Sequence, residues 1–283
     1  VSHPHRKQDT MTTAGTLAGR VAFITGAARG QGRAEAVALA KHGVDVILTD
    51  ICASPAETDY PATTPEDLEE TVALVEKAGQ RAVHAVADVR DLGAMEALVA
   101  RGVAELGRLD IVVANAGIVS WGRFWEMTPE RWRDMIDINL TGVFNTLRAA
   151  APVMIELGNG GSIIATSSVA GIKSLPGQAH YSAAKHGVVG LVKSAAIELA
   201  PYKIRVNSIH PWGVNTPMGA MGADGEKVFA DNPSYSAAMG QYWFDPPISE
   251  PEDIANTVVF LAGDESRTIT GIQLPIDHGA TKI

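Results

Sequence analysis

From Arg20 onward, short β-branched apolar runs alternate with longer stretches in which apolar positions return every three or four residues. The runs VAFIT (21–25), VDVILTD (44–50), RAVHAVAD (81–88), DIVVANAG (110–117), GSIIATSS (161–168) and IRVNSIH (204–210) predict strands, and GIQLPID (271–277) predicts a seventh. The intervening patterns, centred on 30–42, 65–78, 91–107, 129–150 and 179–200, are long enough for helices. Thr64 before Pro65 and Thr128 before Pro129 read as N-caps followed by a first-turn proline. Strands and helices in strict alternation predict an α/β fold, a Rossmann-like doubly wound sheet of about seven parallel strands flanked by helices. A single catalytic domain over 19–283 accounts for the whole pattern. Residues 1–18 are mostly polar and aperiodic and are expected to form a disordered extension, with Met11 as an alternative start. His3 and His5 lie in that tail without further ligands, so no metal site is expected.

Composition narrows the function classes. With 283 residues, 46% hydrophobic and 19% charged, the chain can bury a sizeable core and fits a compact enzyme. A formal charge of -9 argues against nucleic acid, which needs a basic stripe to replace its counterions. No apolar run is long enough for a membrane span. Cys52 is the only cysteine, which excludes an internal disulfide and fits a reducing cytoplasm.

Two groups of residues carry chemistry. In TGAARGQG, Gly26, Gly30 and Gly32 stand between the first strand and the first helix, where backbone amides and the helix dipole can receive a pyrophosphate. The spacing is G-x-x-x-G-x-G rather than G-x-G-x-x-G, and a plain strand-to-helix turn is the alternative. Asp50 closes the second strand where a carboxylate would take the adenosine ribose hydroxyls and repel a 2'-phosphate, favouring NAD over NADP. Arg29 either pairs with a phosphate or bridges to a neighbouring acid. In the second group Tyr181 and Lys185, four apart, share a helix face, with Ser168 thirteen residues upstream of the tyrosine. An ammonium near a phenol favours the phenolate and makes it a usable base, and Ser168 would hold the substrate oxygen. Taken alone, the same spacing is an ordinary amphipathic face.

These residues, with Asp88-Val89, Asn115-Ala116-Gly117 and Asn139 in the same order, resemble the short-chain dehydrogenase/reductase family over residues 19–279. The resemblance implies catalysis by Ser168, Tyr181 and Lys185 with Asn139 supporting a water relay to Lys185. It implies that Asp88 binds the adenine amino group, that the Asn115 segment stabilises the sheet beside the cofactor, and that Lys185 holds the nicotinamide ribose. Thr216 would contact the carboxamide, and Gln31, Ile51, Pro211 and Val214 complete the expected cofactor contacts. Each position has a structural alternative: Asp88 as a cap for the helix from 91, Asn139 as a bridge inside a helix, Ser167 or Ser168 as a turn former. Trp212 departs from the family, where glycine is common. The resemblance also implies a homotetramer.

A long segment after Asp50, ICASPAETDYPATTPED, replaces a short turn. With TGAARGQG it resembles the mycofactocin-associated, carveol dehydrogenase-like subfamily, which implies tightly bound NAD reoxidised by mycofactocin as an external acceptor. Residues 51–64 are expected to fold over the ribose as a lid, with a solvated loop as the alternative. Residues 214–247, rich in methionine and aromatics, read as a substrate lid, with Trp121, Trp212 and Met218 among the walls of a site for a small hydrophobic alcohol or ketone. A buried subunit interface would account for the same residues. The competing functions are an ordinary dehydrogenase with exchanging NAD and a non-catalytic NAD-sensing module.

Overall fold

Burial on both faces makes four of the strands nearly continuous apolar runs, and their alternation divides the core into two layers. The computed structural model describes residues 17–54, 58–239 and 243–282, so most of the expected N-terminal extension, with His3 and His5, lies outside the described residues. The elements are β1 (Val21–Thr25), α1 (Gly30–Lys41), β2 (Asp45–Asp50), α2 (Pro65–Lys77), β3 (Ala82–Val86), α3 (Leu92–Leu106) and β4 (Ile111–Ala114). They continue as α4 (Pro129–Ile136), α5 (Gly142–Leu157), β5 (Gly161–Thr166), α6 (Ala179–Leu199), β6 (Ile204–Pro211), α7 (Gly222–Asp231), α8 (Pro251–Ala262) and β7 (Gln273–Ile276). Seven parallel strands lie in the order β3-β2-β1-β4-β5-β6-β7, the doubly wound sheet that the alternation predicts. Phe23, Ile47, Val112 and Val206 face α3, α5 and α6, while Ala22, Ile24, Val46 and Ile209 face α1, α2 and α8.

The helix starts follow local chemistry. Thr64 accepts from the Asp67 amide while Asp67 accepts from the Thr64 amide, and Thr128 accepts from the Arg131 amide. Asp91, not Asp88, caps α3 by accepting from the Ala94 amide, which removes the capping reading of Asp88. The single helix expected over 129–150 is interrupted by a π-turn at Asp137–Thr141 and then runs on to Leu157. The interruption turns Asn139 inward, where its side chain bonds both backbone groups of Ile118. The helices α7 and α8 are absent from the sequence reading, although α8 carries a readable signal: Glu250 and Asp253 form a capping box around Pro251, before Ile254, Val258 and Leu261.

The winding direction reverses between β1 and β4, leaving a crevice at the carboxyl ends of these strands. The Thr25 hydroxyl accepts from the amides of Asn115 and Ala116 at 3.2 and 3.1 Å, and the Asn115 side-chain amide donates back to the carbonyls of Thr25 and Gly26 at 3.1 and 3.3 Å. The two chain ends are thereby fixed while their continuations diverge.

Burial also sets the pH response. It pushes the Glu35 carboxyl of α1 up to about 8, and lowers His180 and His210 to about 4. Between pH 4.5 and 6.5 the unfolded chain holds protons on both histidines and the folded chain holds one on Glu35, so these groups make stability rise with pH. From 6.5 to about 8 only the Glu35 proton differs, the folded state holds it, and stability falls by about 2 kcal/mol. Urea unfolding at stepped pH should show this alkaline decline in the native chain and its loss in Glu35→Gln; an identical slope in both would contradict the assignment.

Candidate active site

A cleft of about 1080 Å³, open on one side, follows the β1/β4 crevice and continues past α6. Gly26, Arg29, Gly30, Gln31, Asp50, Ile51, Asp88, Val89, Asn115, Ala116, Gly117, Asn139, Tyr181, Lys185, Thr216 and Met218 line it, so most of the residues expected from sequence converge on one cavity. Its floor at β1 is bare backbone. Gly26 has φ +68°, and a Cβ there would meet the Ala116 Cα at 2.9 Å; a Cβ on Gly32 would strike the Gly26 carbonyl. The first turn of α1 has neither a capping side chain nor an acidic residue, so its positive end and free amides face the cleft unneutralised. Asp50, 8% exposed, accepts from the Ala28 and Cys52 amides at 3.1 Å each and from the Thr63 hydroxyl at 2.7 Å. Four acceptor positions and three donors leave the carboxylate capacity for one further donor. Asp88 is engaged by the Arg90 side chain and amide, which hold its carboxyl below the ordinary range despite its partial burial.

The described part of the segment after Asp50 crosses this cleft as a strap. Arg29 donates to the carbonyls of Pro61 and Ala62 at 2.5 and 3.5 Å and stacks its guanidinium over the Tyr60 ring. The protein partner of Arg29 is thus the strap's own backbone rather than a neighbouring acid, while the residue still lines the cleft where a phosphate would lie. The Tyr60 hydroxyl accepts from the Val119 amide at 3.3 Å, and Asp59 accepts from the Asp224 amide in the first turn of α7.

At the far end, β5 and α6 bring the reactive groups together. The Lys185 ammonium donates to the Thr166 carbonyl at 2.8 Å and stands 5.6 Å from the centre of the Tyr181 ring. The Tyr181 hydroxyl is hydrogen-bonded to Ser168, whose own hydroxyl accepts from the Ala170 amide at 3.1 Å. Ser167 donates instead to the Lys185 carbonyl at 3.0 Å and fastens the strand end to α6, a structural task. His210 holds Ser168 from behind. Its Nδ1–H donates to the Ser168 carbonyl at 2.7 Å, and because the ring is neutral its Nε2 must accept from the Ser208 hydroxyl, at 2.9 Å.

The electrostatics differ from the expectation of a phenol lowered by its lysine. Burial pushes Tyr181 up to about 12, against the opposing effect of the Ser168 hydrogen bond, and the neighbouring Tyr60 raises it further. Burial likewise lowers Lys185 to about 8. A buried phenol loses hydration of its anion, and in the protein alone this outweighs an ammonium whose nearest partner is a carbonyl.

Several expected residues lie outside the cleft lining, Ser168 and Gly32 among them. Pro211 ends β6 and Val214 packs in the α1/α8 layer. Trp121 packs edge-to-face on Phe229 of α7 at 5.8 Å and lines a separate charged cavity with Arg123, Arg131 and Asp224. Trp212 donates its amide to the Ile276 carbonyl and lines neither cavity. Conversely, Thr58, Tyr60, Thr63, Ile118, Ile138 and Pro217 line the cleft and were not anticipated. Only Tyr60 carried a signal, as the one aromatic residue in the inserted segment. Among the described residues no cluster of three metal-type ligands exists, and no helix is long and apolar enough to cross a membrane.

Comparison with known proteins gives consistent matches. The family model described as enoyl-(acyl carrier protein) reductase matches residues 26–281. The chain is 50% identical over 270 residues to an uncharacterized NAD-dependent oxidoreductase of Mycobacterium tuberculosis, covering 95% of this chain and 98% of the relative. It is 46% identical over 271 residues to (-)-trans-carveol dehydrogenase of Rhodococcus erythropolis, covering 93% and 98%. Among solved structures, a short chain dehydrogenase from Mycobacterium paratuberculosis bound to NAD superposes with a TM-score of 0.92 at 50% identity, over 95% of this chain and all (100%) of the other.

The inward Asn139 gives the site a stability test. Its side chain satisfies both the N–H and the C=O of buried Ile118, at 2.9 and 2.8 Å. Asn139→Ala should lower the unfolding free energy by about 2 to 4 kcal/mol in denaturant titration, because two buried backbone groups lose their partners. A loss below about 0.5 kcal/mol would show that this clamp contributes nothing.

Proposed function

Because the chain belongs to the short-chain dehydrogenase/reductase family and is an oxidoreductase, we propose that it interconverts a small hydrophobic secondary alcohol and its ketone with NAD. The single observation that carries this reading is the convergence of Tyr181, Lys185 and the uncapped α1 terminus on one cleft, with Ser168 beside the phenol. The cleft fits a dinucleotide on its own terms. The bare glycine floor and free amides suit a pyrophosphate, and the spare acceptor capacity of Asp50 suits a ribose diol rather than a 2'-phosphate. NAD is also what the solved relatives from Mycobacterium paratuberculosis and Mycobacterium avium hold.

When bound, NAD supplies the hydride acceptor and, oxidised, a positive charge beside the phenol. The residues of the chain do the proton work. Ser168, held by the Ala170 amide and by His210, positions the substrate oxygen against Tyr181. Tyr181 takes the hydroxyl proton of the alcohol and returns one to the ketone in the reverse direction. Lys185, fixed on the Thr166 carbonyl, supplies a cation on the far side of the ring, and Asn139 stands between it and Ile118 at the Gly117 backbone.

The strap supports the tightly bound form of the cofactor. Within residues 59–63 it bonds to α7, the Val119 amide, Arg29 and Asp50, so nucleotide release would have to break several contacts together. In this reading the reduced nicotinamide is recycled in place by an external carrier of the mycofactocin type. The resemblance of the inserted segment supports that part, the family resemblance supports a homotetramer, and the single cysteine suits a reducing cytoplasm. Carveol dehydrogenase of Rhodococcus erythropolis, at 46% identity, supports an apolar alcohol as the substrate class.

Tyr181→Phe should cut alcohol oxidation by about 100- to 10,000-fold in a steady-state or single-turnover assay, with nucleotide binding retained. A loss under about tenfold would remove Tyr181 from the proton step. Native mass spectrometry after exhaustive dialysis should find NAD on each subunit; nucleotide-free protein with sustained turnover on added NAD would favour the freely exchanging alternative.

A further inference from the structure

The strap does more at the reactive end of the cleft than its starting point beside Asp50 suggests. Tyr60 lines the same cavity as Tyr181, Lys185 and Met218, and its hydroxyl reaches the Val119 amide beyond the carboxyl end of β4, near enough to Tyr181 for the two phenols to interact. The ring is held on two sides. Arg29 stacks on one face at 5.9 Å, and the hydroxyl accepts from the Val119 amide at 3.3 Å, in the segment that leads from β4 toward Ser120 and Trp121. Neighbouring contacts fix the backbone on both sides, through Asp59 to the Asp224 amide and through Pro61 to Arg29. The two phenols also sense one another, since Tyr60 raises the Tyr181 pKa. Among the described residues no protein group accepts the Tyr60 O–H.

An aromatic ring clamped between a cation and a backbone amide cannot swing aside for a bulkier ligand without breaking both contacts. Such a ring sets the size of the space beside the reacting atoms. We infer that Tyr60 is a specificity-determining residue of the substrate site, its ring limiting the bulk of the alcohol opposite Tyr181. The inserted segment therefore selects the substrate as well as covering the nucleotide. This inference rests on the alcohol-oxidising reading of the cleft, but its size effect is a property of binding and can be read without turnover.

The test uses the full chain with its nucleotide and two alcohols differing only in bulk, cyclohexanol and 4-tert-butylcyclohexanol. In single-turnover reduction of the bound nicotinamide, Tyr60→Ala should shift the ratio of second-order rate constants toward the bulkier alcohol by about tenfold or more, and Tyr60→Trp should shift it the opposite way. The shift should reside mainly in the alcohol concentration that half-saturates the rate, because the proton-transfer residues are untouched. The same order should appear when cyclohexanone and 4-tert-butylcyclohexanone are titrated against the fluorescence of bound reduced nicotinamide. That arm reports on Tyr60 even if the alcohols are not turned over, an outcome that would overturn the dehydrogenase reading alone. Two variants changing the cavity in opposite directions keep the test decisive if one folds poorly. A preference within about twofold of the native chain in the folded variants, in both assays, would overturn the inference, whatever happens to nucleotide retention.

Discussion

The Asn115 carboxamide, clamped on the carbonyls of Thr25 and Gly26, is the constraint on which the site depends. Where the sheet winds both ways from β1 and β4, the continuations of these strands must part, and without a tie the exposed carbonyls would be free to shift. Asn115 satisfies two of them and Thr25 returns the contact through its hydroxyl. The same packing leaves no room for a side chain at Gly26 or Gly32: a Cβ there would meet the Ala116 Cα at 2.9 Å and the Gly26 carbonyl respectively, with the Asn115 amide nitrogen close behind at 3.0 and 2.8 Å. The bare floor of the cleft thus follows from the close approach of the two strand ends that Asn115 holds together.

A second layer of fixation operates at the reactive end, again through backbone. Ser167 ties the end of β5 to the Lys185 carbonyl, Lys185 ties back to the Thr166 carbonyl, and His210 holds the Ser168 carbonyl from β6. Residues of three elements are thereby locked to each other without any of the reacting hydroxyls being consumed. The cost is electrostatic: the packing that secures Tyr181 also buries it and pushes its pKa to about 12. In the proposed reaction, charge arriving with the ligand would offset that burial and make the phenol a base, coupling proton transfer to occupancy of the nucleotide cleft.

The strands, the glycine turn and the Ser168, Tyr181 and Lys185 set were legible because each is written in local spacing: alternation, turn chemistry, or an interval along one helix. Asn139 was legible as a residue but not as a π-turn, since that interruption arises from its tertiary bonds to Ile118 rather than from its neighbours in sequence. The bonds that Arg29 makes to the strap were illegible for the same reason, its partners being carbonyls 32 and 33 positions away that no motif encodes. Trp121 looked like a cleft wall by its position after β4, yet packing against Phe229 of α7, a helix absent from the sequence reading, draws it into another cavity. Tyr60 shows the opposite failure: a lone aromatic residue in a polar, proline-rich segment gave no periodicity to interpret, and only the fold brings it to Tyr181.

The central claim is that one chain holds its own oxidant beside Tyr181 and performs a hydride transfer there. Mixing the purified protein, with no nucleotide added, with a cyclic secondary alcohol and following reduced-nicotinamide absorbance tests it most directly. The account predicts a rapid rise of about one reduced nicotinamide per subunit that then stops. Absence of any rise in protein shown to contain NAD, across a panel of apolar alcohols, would contradict it.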